Sequence, residues 1–149
     1  MVELLIVIAI VALAVALVSV ALPDGDAARL EEEGARLTAL LEMARAEARV
    51  SGAPVHWVPR TETDPLTDLS GAPVHFRFVG LPKALALPSR WLDARVSAQI
   101  VGSRSVVLGP AAILPAQRIV LTLAEQRLEL LSDGLGPFVV APSAAPVPR

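Results

Sequence analysis

The chain divides by its pattern of apolar and polar positions. From Leu4 to Leu22 it is apolar except for Ser19. As a helix, Met1 to Leu22 would be about 33 Å long at 1.5 Å per residue. A bilayer core is about 30 Å thick and is crossed by about 20 apolar residues. The run is apolar on every face, unlike an interfacial amphipathic helix. Lipid offers backbone groups no partner, and a helix satisfies them internally. Residues 1–22 are therefore expected to form a transmembrane or filament-core helix. Pro23-Asp24-Gly25-Asp26 should end or kink it.

The pattern then narrows to one stripe. Between Arg29 and Val50, Leu37, Leu40, Leu41, Ala44 and Ala48 share a helical face, and Leu30 extends it a turn earlier. Residues 23–50 read as an amphipathic continuation of the helix. Asp26 is the expected N-cap, Arg45 and Arg49 lie near the last turn, and Gly52 stops it. Glu31-Glu32-Glu33, with Glu42 and Glu47, is expected on the solvated side.

After residue 50 the period becomes two, broken by Pro and Gly. Strands are predicted over Val55–Val58, Val74–Val79, Arg95–Val101, Ser105–Leu108, Arg118–Leu123, Arg127–Leu131 and Phe138–Val140. Arg60 to Leu69 is a polar loop, and Gly80 to Pro88 is irregular. The clearest pair is a hairpin turning at Ala124-Glu125-Gln126, with Ile119, Leu121 and Leu123 facing Leu128 and Leu130. Residues 51–140 thus form a β domain, and the Ala/Pro-rich tail 141–149 is expected to be disordered. The fold class is α+β: a long N-terminal helix whose second half packs its stripe on a small antiparallel β domain.

Composition excludes more than it selects. The 149 residues suit an anchor plus one domain of roughly 120 residues. A net charge of −2 offers no surface for nucleic acid. The absence of cysteine removes disulfides, thiol nucleophiles and Cys-based metal sites. The hexapeptide Ser-Gly-Ala-Pro-Val-His occurs at 51–56 and again at 70–75, so His56 and His75 on neighbouring strands are a conceivable metal pair. No third ligand is well spaced, and half-exposed histidines after two turns are the simpler reading. Ser132-Asp133-Gly134 lacks the surroundings of an activated serine, and no phosphate-binding loop is present. No catalytic residue, cofactor or metal is assigned. Trp57 and Trp91 are expected to be partly buried, with the indole N–H at the edge, or to serve an interface.

Glu3 is the anomalous residue of the first run. An acid within an apolar span points to function and needs a partner. It also suits the positive end of the helix dipole at the headgroup level. A cleaved signal peptide fits poorly, because no basic residue precedes Arg29 and the apolar core is too long.

The segment Val2-Glu3-Leu4-Leu5-Ile6-Val7-Ile8-Ala9-Ile10 resembles the mature N-terminus of type IV pilins and of type II secretion pseudopilins. Val107-Leu108-Gly109-Pro110, Leu114 to Ile119 and Ser132 to Phe138 are similar to the C-terminal part of minor pseudopilins of the GspH/FimT group, as is the helix ending Ala44-Arg45-Ala46-Glu47-Ala48. The resemblance implies a structural subunit of the periplasmic pseudopilus. Glu3 would make the contact between subunits by pairing with a neighbour's N-terminal amine. Val2, Leu4, Leu5, Val7 and Ile8 would pack helix on helix. The implied partners are other pseudopilins, the inner-membrane assembly platform and, given an upstream leader, prepilin peptidase. The implied location is the bacterial inner membrane, crossed once, with the C-terminal domain in the periplasm. The family's basic leader ending in Gly does not stand before Val2, so the peptidase site is absent from the chain as written. A minor pilin of a type IV pilus or competence system, and a membrane-anchored β-domain binding module with no filament, are the alternatives.

Overall fold

The computed structural model describes residues 2–21, 25–61, 71 and 73–141, and for 13–21 the backbone only. The pattern of short apolar segments is realised as α1 (Val2–Ala21), α2 (Gly25–Ser51), β1 (Val55–Pro59), β2 (Phe76–Val79), β3 (Ser97–Ile100), β4 (Val106–Leu108), β5 (Gln117–Leu123), β6 (Gln126–Ser132) and β7 (Val139–Val140). The architecture is the expected α+β, a helix laid on antiparallel strands. The tail from 142 and most of the polar loop, 62–70, lie outside the described residues.

Among the described residues the strands form two sheets, ordered β2-β1-β4 and β3-β5-β6-β7. Every pairing is antiparallel. The β5–β6 hairpin brings the expected faces together, with Ile119 opposite Leu130 and Leu121 opposite Leu128. These four residues are buried on one face. The turn is shorter than expected, because Gln126 already pairs with Leu123. Ala124 adopts φ 51°, the left-handed conformation that a two-residue hairpin turn requires. The Gln117 side chain joins the two sheets. Its amide donates to Val107 O at 3.0 Å, and its carbonyl accepts the Val107 N–H at 2.7 Å.

The stripe on α2 is the centre of the core. Leu30, Leu37, Leu40, Leu41, Ala44 and Ala48 are all buried against the strands. Each fully buried leucine stabilises the fold by about 2 kcal/mol. Gly34 lets α2 approach β6 closely, since a Cβ there would meet the Leu128 side chain. Phe76 sits at the middle of an aromatic cluster, with ring centroids 5.9 Å from Trp57, 6.1 Å from Phe78 and 4.6 Å from Trp91.

Several expectations are corrected. The helix begins at Gly25, so Asp26 lies in its first turn and is not the N-cap. Glu33 is 1% exposed and Arg45 4%, so neither is a solvated residue. Both tryptophans are buried outright, and Trp57 Nε1 finds no acceptor among the described residues. Val74 is buried but precedes its strand, because the N–H groups of His75 and Phe76 both turn to Ser89 O, at 2.9 and 3.2 Å. Phe138 likewise is buried just before β7.

Candidate functional site

The α-helix over Val2–Ala21 carries Glu3 in its first turn, where the acid favours the positive end of the dipole. What distinguishes α1 is its surroundings. Val2, Leu4, Leu5, Ile6, Val7, Ile8, Ile10 and Val11 are all exposed, from 52% to 70%. Glu3 is exposed among them. The residues singled out for helix packing therefore lie together with the acid on one uncovered segment. None belongs to the core cluster, which begins at Leu30. A contiguous apolar surface of this kind marks an interaction site. Among the described residues no helix is long and apolar enough to cross a membrane. The span expected over 1–22 runs into 13–24, whose side chains lie outside the described residues.

Two buried charges fix α2 to the β domain. Glu33 Oε1 accepts the N–H of Leu92 and, at 3.1 Å, that of Asp93. Its Oε2 receives Arg36 Nη1 at 3.3 Å, and the same nitrogen donates to Arg90 O at 3.0 Å. Near the other end of α2, Arg45 donates to the carbonyls of Gly134 and Leu135, each at 3.3 Å, and to that of Gly136. Asp133 shapes the same turn by accepting the N–H of Leu135 and Gly136, each at 2.9 Å. Those backbone bonds hold its carboxyl below the usual range. Desolvated charges are costly unless paired and hydrogen-bonded, and each of these has several partners.

A third set of charges closes the start of α2. Arg95 Nη2 lies 2.6 Å from Asp93 Oδ2 and 3.1 Å from Asp26 Oδ1. Arg29 adds weaker contacts to Asp26 at 3.4 Å and Asp93 at 3.9 Å.

The two histidines are not brought together. In the β1–β2 ladder His56 stands opposite Val79, whereas His75 precedes Phe76, which stands opposite Pro59 at the far end. His56 Nδ1 meets Ser105 Oγ at 3.4 Å, and His75 Nδ1 accepts the Trp91 N–H at 2.9 Å. Each is half-buried and separately engaged, and among the described residues no group of three or more His, Cys, Asp or Glu is placed to hold a metal ion. In the repeated hexapeptide both glycines take positive φ, Gly52 at 70° and Gly71 at 81°.

Sequence reasoning missed Glu33 and Arg45 as fixing residues. A signal was available. Both fall beside the stripe leucines on the helical wheel, Glu33 one turn before Leu37 and Arg45 one turn after Leu41.

The chain is similar in structure to the type IV minor pilin FimU of Pseudomonas aeruginosa, with a TM-score of 0.53, 15% identity, and coverage of 83% of this chain and 96% of that one. At that identity the likeness is one of fold, and the fold is pilin-like. No protein-family model matches the chain, and no curated protein matches it.

Proposed function

We propose that the chain is a minor subunit of a pilin-like filament, a pseudopilin of the periplasmic pseudopilus that drives protein export in type II secretion. One observation carries the reading. The apolar side chains of α1 are exposed from Val2 to Val11, while the core of the β domain closes without them. Such a helix is satisfied by lipid before assembly and by neighbouring helices after it. On this reading α1 crosses the inner membrane once and the β domain lies in the periplasm. The partners are other pseudopilins, the assembly platform and, with an upstream leader, prepilin peptidase. Glu3 meets the N-terminal amine of a neighbouring subunit, a pairing that makes both charges tolerable in an apolar setting. The role is structural and mechanical, with no catalytic step.

A minor pilin of a type IV pilus is the second reading. The likeness to FimU favours it, since that protein is a type IV minor pilin. Both readings use the same helix surface and differ in the filament that contains it.

Glu3→Ala, expressed from the native locus, tests the proposal. The expected result is loss of crosslinks to other subunits while the protein still accumulates in the membrane. Loss of exoprotein secretion identifies the secretion filament, and loss of pili identifies the pilus. Crosslinks, secretion and piliation that all persist would overturn the assembly role of Glu3.

A further inference from the structure

Three consecutive backbone N–H groups in the irregular segment 89–93 end on two titratable side chains. Trp91 N–H donates to His75 Nδ1 at 2.9 Å. Those of Leu92 and Asp93 go to Glu33 Oε1. At the other end of the segment, Ser89 O accepts the N–H of His75 and Phe76. Between them Arg36 holds Arg90 O. The segment is thus strapped to the start of β2 on one side and to α2 on the other. Trp91 lies beneath it, buried against Phe76.

A ring nitrogen that accepts an N–H carries no proton. The strap therefore needs neutral His75 with its proton on Nε2, and imidazolium is incompatible with the Trp91 bond. The charges around the ring agree with this. Arg60, just after β1, and Arg90, in the strap, oppose a positive ring, while Glu33 on α2 favours one and is itself paired with Arg36. Burial, Arg60 and Arg90 together hold His75 below its ordinary value, with Glu33 as the smaller opposing influence.

We propose that residues 89–93 form an acid-released strap latched by His75. Protonation of Nδ1 removes the acceptor of the Trp91 N–H, so the segment is released at Trp91 while Ser89 O stays on the N–H groups of His75 and Phe76. Glu33, an acceptor when ionised, keeps the Leu92–Asp93 end on α2. The release loosens the cover over the Trp91–Phe76 contact. The sign follows from linkage. An open strap returns His75 to its ordinary value of 6.5, and a closed strap keeps it lower. Opening is therefore favoured as pH falls below that value, by up to about tenfold per pH unit, until the closed form also protonates. The device belongs to the folded domain and is independent of the filament reading.

The test is amide exchange at Trp91 in the full-length chain in detergent micelles, followed by NMR from about pH 7.5 to about pH 5 together with the His75 ring nitrogens. Exchange corrected for its intrinsic pH dependence should rise up to about tenfold per unit below the ordinary histidine value. The closed form should show the Nε2–H tautomer. His75→Asn places a non-titrating oxygen near the position of Nδ1 and should flatten the pH dependence. A flat profile in the unmodified chain, an Nδ1–H tautomer, or an unchanged rise in His75→Asn would each overturn the proposal. Should His75→Asn fail to fold, the titration of the unmodified chain alone decides.

Discussion

Glu33 on α2 and Leu92, 59 residues further along the chain, are joined by a hydrogen bond from the Leu92 N–H to the buried carboxylate. The bond ties an irregular segment to α2. Replacing Glu33 with Ala orphans two backbone donors and leaves Arg36 with Arg90 O but no carboxylate. Glu33→Ala should cost about 3 kcal/mol, and Glu33→Gln, which retains an acceptor oxygen, about 1 kcal/mol. Urea denaturation of the full chain reads both values. Equal losses would show that the hydrogen bonds to Oε1 are not what matters.

Arg45 serves the turn 134–136 through three carbonyls. Arg45→Met should destabilise by about 2 kcal/mol, since three charge-assisted hydrogen bonds are lost while Gly134 O keeps the Leu114 N–H and Gly136 O keeps the Ser132 hydroxyl. Arg45→Lys should recover only about 1 kcal/mol of that, because a single ammonium does not reproduce the planar fork. The urea midpoint of each variant checks the order.

Two glycines should respond very differently to the same substitution. At Gly34 a methyl meets the flexible tip of Leu128, and the helix gains propensity by about 1 kcal/mol. Gly34→Ala should therefore stay within about 1 kcal/mol of the parent. At Gly134 φ is +87°, and a Cβ would collide with the carbonyl oxygen of Leu114. That neighbour is main chain and cannot swing away. Gly134→Ala should lose at least about 3 kcal/mol, read from thermal unfolding.

Asp93 should titrate far below a free carboxyl. Hydrogen bonds from the Arg95 side chain and backbone hold it at about 2, against an ordinary 3.8. The sign for a depressed acid is that its contribution is present above 3.8 and is lost as pH falls through about 2. An NMR titration of the Asp93 carboxyl should show that midpoint, and Arg95→Ala should move it up toward 3.8.

The sequence makes some of this legible and hides the rest for physical reasons. The α2 stripe and the β5–β6 register follow from local periodicity, since a helix or a hairpin repeats its burial every few residues. Ile119 and Leu130 could be paired on paper because the turn between them is short. The partition into two sheets could not, because β1 pairs with β2 and β4 across intervening segments that periodicity does not constrain. The position of Glu33 and Arg45 beside the stripe was visible, but their partners were hidden for the same reason. A charge is placed in the interior by loops distant in sequence, at Leu92 and at Gly134 to Gly136. On the candidate site, Glu3 and its apolar neighbours were legible because a lone acid in an apolar run stands out without any tertiary context.

Gln117 has a further consequence through its hold on Val107. β4 is the outer strand of its sheet, and an outer strand normally offers its backbone to any extended chain that drifts alongside. At Val107 both the donor and the acceptor are already taken by one side-chain amide. A strand arriving from another molecule finds nothing to bond there, so uncontrolled edge-to-edge stacking is blocked at that residue. Gln117→Leu would reopen it, turning a self-sealed border into a template for aggregation.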